Sequence, residues 1–141
     1  MIILSGNGLI LAMKKNLINS LAGLSLALYC SAALAVQVEV HDPVMAREGD
    51  TYYVFSTGPG ITCYESRDLK QWKLVGRVFK DEPSWAARVA PGFNGHLWAP
   101  DIWQKDGRFY LYYSASAFGK NTSGIGVTVN ETLDPDSPDY R

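Results

Sequence analysis

From residue 36 onward the chain alternates short runs of apolar, aromatic and β-branched residues with clusters of Gly, Asp and Pro. Residues 36–40 alternate apolar and polar side chains, and 51–56 read Thr-Tyr-Tyr-Val-Phe-Ser. The stretches 61–65, 73–79, 109–114 and 125–129 have the same character, each bounded by turn residues. Alternation with period two and an aromatic, β-branched composition predict β-strands. No stretch keeps a helical period long enough to predict a helix, so the chain is expected to be all-β. Strands at this spacing fit a sandwich, a barrel or a propeller.

An internal repeat separates these options. Asp42-Pro43-Val44-Met45 leads through Arg47-Glu48-Gly49-Asp50 into 51–56, and Pro100-Asp101-Ile102-Trp103 leads through Lys105-Asp106-Gly107-Arg108 into 109–114. In each copy an Asp opens a short strand, a charged Gly turn reverses it, and an aromatic strand returns, which describes a β-hairpin. A further strand and a polar turn follow each hairpin, and residues 73–79 add a fourth strand to the first copy. Four strands repeated at tens of residues are the pattern of propeller blades, whereas a complete small sandwich needs no repeat. Two units do not close a ring of four to eight blades. The expectation is the first blade and most of the second, with Arg141 falling where the last strand of the second should begin.

The first 35 residues read differently. Met13-Lys14-Lys15 is followed by an apolar run from Leu21 to Leu28 and by Ala33-Leu34-Ala35, a small-x-small pattern that signal peptidase accepts. Residues 1–35 are therefore expected to be an upstream extension plus a secretory signal peptide, with the true start at Met13 and cleavage after Ala35. The apolar centre is shorter than the ~20 residues of a spanning helix, so no membrane attachment is expected after cleavage. Cys30 would leave with the signal and Cys63 would stand alone, which excludes an internal disulfide in residues 36–141. A secreted or periplasmic destination follows.

Charge narrows the partners. Thirteen Lys and Arg are offset by fourteen acids, for a formal net charge of −1. That balance offers no basic face for a phosphate backbone, so nucleic acid is not an expected partner. The chain is 12% aromatic, rich enough for both a core and a stacking surface.

The innermost strand of a propeller blade lines the central channel, so an Asp at its start projects into the shared opening. Asp42 and Asp101 hold that place in the repeat. Carboxylates gathered at one cleft suit glycoside hydrolysis, in which one acid protonates the leaving oxygen and one base activates water. An Asp-Pro pair by itself also simply starts a turn.

Several motifs in order carry a more specific signal: His41-Asp42-Pro43, Ser66-Arg67-Asp68-Leu69-Lys70-Gln71-Trp72, Trp98-Ala99-Pro100-Asp101-Ile102, and residues 112–126 with their Gly124-Ile125-Gly126 ending. From about Val40 onward the chain resembles glycoside hydrolase family 43, in particular its endo-1,5-α-L-arabinanases. The resemblance implies a five-bladed β-propeller, arabinan or arabino-oligosaccharide as substrate, and a monomer when full length. It implies Asp42 as the general base of an inverting hydrolysis. A second Asp and a general-acid Glu are expected from later blades, so the chain as it stands is expected to be inactive and to fold poorly alone. Asp101 is expected to shape the channel, while Trp98 and Phe118 are candidates to stack on a furanose ring or to pack between blades. The resemblance also implies calcium or another ion in the channel of the full-length enzyme, held partly by a later histidine; His41 and His96 beside the two motifs do not make a metal site. Arabinofuranosidase or xylosidase action, or a non-catalytic carbohydrate-binding remnant, are the alternatives.

Overall fold

The computed structural model describes residues 37–141. The expected signal peptide, its cleavage point, the start at Met13 and Cys30 lie outside the described residues. Eight strands and one short helix follow in order: β1 Val44–Glu48, β2 Thr51–Ser56, β3 Gly58–Pro59, β4 Thr62–Ser66, β5 Lys73–Arg77, α1 Ala86–Val89, β6 His96–Lys105, β7 Arg108–Ser116 and β8 Ser123–Asn130. They form two four-stranded antiparallel sheets, β1-β2-β4-β5 and β3-β6-β7-β8. The all-β expectation holds, and the single-turn α1 is the exception. Among the described residues no helix is long and apolar enough to cross a membrane.

The first sheet has the four strands that the repeat predicts. The second has three of its own, and its fourth is β3, contributed on the free side of β6 by the segment that follows β2. Residues 37–40 carry no strand, contrary to the alternation there, because no described strand lies alongside them to supply a hydrogen-bond ladder.

The two hairpins turn by different chemistry. Lys105 faces Arg108, and Asp106 and Gly107 between them both have positive φ, 49° and 73°, as a type I′ turn demands. In the first hairpin Gly49, at φ 56°, fills the leading central position between Glu48 and Thr51, where type II′ places glycine.

The core lies between the sheets. Alternate residues of β2 and β7 turn inward, so Tyr53 and Phe55 meet Phe109, Leu111, Tyr113 and Ala115 in one buried cluster with Cys63 and Ala86. Ile61 and Leu97, both fully buried, complete it. Each such apolar side chain contributes roughly 1.5–3 kcal/mol when fully buried. Burial raises the Cys63 thiol to about 12, with Glu65 adding to the effect, so the thiol stays protonated and unreactive.

Three of the sequence motifs have structural explanations. In the Ser66–Trp72 turn, the Ser66 hydroxyl accepts the Leu69 N–H at 2.9 Å, and Asp68 Oδ1 accepts those of Lys70 at 2.8 Å and Gln71 at 2.7 Å. The backbone bonds from Gln71 and Lys70 hold the Asp68 carboxyl below its ordinary value. Glycines of β8 alternate inward to make room for Trp85: a Cβ on Gly126 would stand 2.5 Å from both Trp85 Cζ2 and Tyr113 Cζ. Glu48, at the turn end of β1, reaches across to the segment after β8, where its Oε2 accepts the Leu133 N–H at 2.6 Å and the Thr132 hydroxyl at 3.1 Å.

On the opposite face of the second sheet Ile125, Val127 and Val129 alternate outward beside Tyr112 and Trp103, all exposed. No described residue covers this apolar row.

Two substitutions test this packing. Gly126→Ala forces a methyl group into the Trp85 and Tyr113 rings and should cost about 1–3 kcal/mol as overpacking, read as a lower urea midpoint. Glu48→Ala leaves the buried Leu133 N–H without its acceptor and should cost about 1–3 kcal/mol; an unchanged midpoint would show that the contact between β1 and the 132–133 segment contributes nothing.

Candidate active site

Asp42 lies just before β1, in a bend with φ 47°, a left-handed conformation uncommon for a residue other than glycine. The β1–β2 ladder runs from Glu48–Thr51 to Val44–Phe55, and the Thr57 N–H then bonds the His41 carbonyl at 3.0 Å, one residue off that register. The extra residue is absorbed at Asp42-Pro43, which has the character of a β-bulge. Bulges re-aim side chains, and this one turns the Asp42 carboxylate away from the sheet.

Two donors hold that carboxylate. The Thr57 hydroxyl donates to Oδ2 at 2.9 Å, and His41 Nδ1 lies 2.7 Å from the same oxygen. The Thr57 bond first, then the His41 bond, hold the Asp42 carboxyl below the usual carboxylate value, against a small opposing effect of desolvation. The Asp42 side chain is 41% exposed, so it stays ionised and open to solvent. Thr57 in turn accepts the backbone N–H of Ala99 in β6 at 2.8 Å, which ties the first sheet to the second at this point.

The second sheet repeats the bulge. Trp98 pairs with Ser114 and Asp101 with Tyr112, leaving Ala99 and Pro100 opposite Tyr113 alone, and Ala99 has φ 44°. The same number of residues separates Asp42 from Gly49 as separates Ala99 from Asp106. Ala99, rather than Asp101, is therefore the structural counterpart of Asp42. The expectation that Asp42 and Asp101 hold one place in the repeat is corrected: aligning acid with acid skips the bulge. Asp101 sits beyond it on β6, exposed, with Oδ1 accepting the Ile102 N–H at 3.0 Å.

The aromatic candidates cluster on the other side of Ala99. Trp98 is half-buried, with the His96 ring 4.5 Å away and the Phe118 ring stacked at 6.2 Å and 22°. Phe118 is 88% exposed among the described residues, so neither sheet of this chain covers its ring. The Trp98 indole N–H is buried without an acceptor among the described residues.

Other carboxylates are engaged elsewhere. Glu48 holds residues 132–133, Glu65 accepts the Lys73 ammonium at 3.0 Å, and Glu131 pairs with Arg108 at 3.6 Å. No three His, Cys, Asp or Glu side chains gather into a metal-binding group among the described residues. His41 contacts Asp42 and the His96 ring lies against Trp98, so the two histidines do not converge on one point. Sequence reasoning missed Thr57 altogether, since one Thr after an aromatic strand carries no motif.

Residues 35–138 match the profile of glycosyl hydrolases family 43. The chain is 67% identical over 119 residues to the extracellular exo-α-(1→5)-L-arabinofuranosidase of Cellvibrio japonicus, covering 83% of this chain and 34% of that protein. It is 37% identical over 98 residues to the extracellular endo-α-(1→5)-L-arabinanase 1 of Bacillus subtilis, covering 67% of this chain and 30% of that protein. Among solved structures, the α-L-arabinanase of Cellvibrio cellulosa complexed with arabinohexaose aligns with TM-score 0.73 and 69% identity, over 75% of this chain and 34% of that one. The chain thus spans about a third of the length of the relatives it matches. The family's arabinanases are five-bladed β-propellers, and the two sheets are part of such a propeller. With the family profile covering most of its length, the chain belongs to glycosyl hydrolases family 43.

Proposed function

We propose that the whole protein is an exported glycosidase that hydrolyses α-1,5-linked arabinan with inversion, and that Asp42 is its general base. The observation that carries this reading is the Asp42 carboxylate itself: solvent-accessible at the start of the inner strand and kept ionised by Thr57 and His41, in a chain of this family. Both bonds end on Oδ2, which leaves Oδ1 with the capacity to accept a proton from water. In the reaction, water attacks the anomeric carbon, its proton passes to Asp42, and a carboxylic acid on the opposite side protonates the leaving oxygen. Inversion requires the two carboxyls roughly 6.5 to 9.5 Å apart. The Glu residues with structural partners in this chain are poor candidates for that acid, so it is assigned to a later blade together with a second, orienting Asp. Phe118 and Trp98 supply an apolar platform for a furanose ring, and Asp101 lines the approach.

Whether cleavage is internal or at chain ends divides the relatives: the one that is 67% identical is named for exo action, the one that is 37% identical for endo action. The motifs resemble those of the endo-acting members without deciding the mode of action, and the size of the first products from linear arabinan decides between the two.

The 141-residue chain alone should release no sugar from linear arabinan, whereas the same chain joined to the remaining two thirds of the Cellvibrio japonicus relative should. In that joined protein Asp42→Ala should lower kcat by about 10²–10⁴; retained activity would sink the base assignment. Phe118→Ala should raise KM for arabino-oligosaccharides with a smaller effect on kcat, and an unchanged KM would remove Phe118 from the site.

A further inference from the structure

Thr57 stands where the chain leaves one sheet for the other. β2 ends at Ser56 in the first sheet and β3 begins at Gly58 in the second. Three bonds meet on this single residue: its N–H to the His41 carbonyl at 3.0 Å, its hydroxyl from the Ala99 N–H at 2.8 Å, and its hydroxyl to Asp42 Oδ2 at 2.9 Å. A hydroxyl has one proton and two lone pairs. The backbone N–H of Ala99 donates only, and an ionised carboxylate accepts only. With Ala99 occupying a lone pair, the Thr57 proton has one polar partner left, and that partner is Asp42.

The geometry points to Thr57 as the positioning residue for Asp42, through which docking of the second sheet orients the carboxylate. This rests on the reading of Asp42 as general base. Two of the left-handed residues, Asp42 and Ala99, lie at the two ends of the bridge. Their bulges aim a carboxylate and a backbone N–H at one hydroxyl, and strained backbone of this kind persists only where its surroundings hold it. A sheet that is not docked loses the Ala99 donor and frees the Thr57 hydroxyl to rotate. Among the described residues the titratable side chain joined to Asp42 is His41, on its own segment. β6 meets the bridge through the Ala99 backbone and carries Asp101 beyond the bulge, and β2 meets it through Thr57.

The sign follows from the bonds. Donors to the carboxylate lower its folded pKa, so Asp42 keeps its charge as pH falls until that lowered value is reached. Removing the Thr57 donor raises the value, and the charge is lost at a higher pH. Thr57→Ser keeps the hydroxyl and its bonds, whereas Thr57→Val removes them at similar size.

The test is a carbon-detected NMR titration of the Asp42 carboxyl in this chain joined to the remaining two thirds of the Cellvibrio japonicus relative, unsubstituted and carrying either Thr57→Val or Thr57→Ser. Asp42 should titrate below the ordinary carboxylate range in the unsubstituted chain and in Thr57→Ser, and at higher pH in Thr57→Val. Equal titration in the unsubstituted chain and Thr57→Val, or a shift in Thr57→Ser matching that in Thr57→Val, overturns the proposal. A second measurement reads activity in the same joined series. The acid limb of kcat/KM should move to higher pH in Thr57→Val alone, and a limb that stays in place overturns the proposal. Failure of the base assignment is distinguishable, because it would appear as activity surviving Asp42→Ala while the carboxyl titration still responded to Thr57.

Discussion

Each of the two sheets has an apolar face that water would otherwise cover, and the candidate site exists because those faces meet. Tyr53 and Phe55 on one side and Phe109, Leu111, Tyr113 on the other supply the non-directional attraction. Apolar contact alone does not set how the sheets align along the seam. Polar bonds at the two ends of β1 do: Glu48 to Leu133 at the turn end, and Thr57 to Ala99 at the end next to Asp42. Hydrophobic burial thus brings the sheets together, and a few directional bonds decide where the carboxylate sits.

That division of labour explains the local backbone at the site. Asp42, just before β1, and Ala99, in the bulge inside β6, both adopt φ near 45°, a conformation that costs energy for residues with a Cβ. The bulges that contain them give up regular ladder pairing, and the bridge through Thr57 uses the groups so redirected. A flat, regular hairpin at either position would point these groups along the sheet instead of across the seam.

Motifs that mark the family do different work in the molecule. The Ser66–Trp72 turn closes on its own Ser and Asp side chains, and the Gly124-Ile125-Gly126 run clears space for Trp85. Both lie in structural roles, while Asp42 with its histidine neighbour is the motif to which the proposed function assigns the chemistry. Similarity spread along a chain therefore identifies a fold more securely than it identifies a site.

Periodicity alone determined the all-β class, the strands at 51–56, 61–65, 73–79, 109–114 and 125–129 within about two residues, and both hairpins, because side-chain alternation and turn chemistry are local; β6 instead begins at His96, well ahead of the Asp101 expected to open it. The repeat offered Asp42 and Asp101 alike, and the resemblance of His41-Asp42-Pro43 to the family is what singled out Asp42. The strand expected at 36–40 is not seen across 37–40, because a strand needs a neighbour and neighbours are set by the tertiary fold. β3 was invisible for the converse reason: Gly58-Pro59 has no strand propensity and is a strand only because β6 lies beside it. The equivalence of Asp42 with Ala99 required the bulge, which adds a residue without a sequence mark. Thr57 required the packing of one sheet on the other, because its partners lie 15 and 42 residues away and meet only when the seam closes.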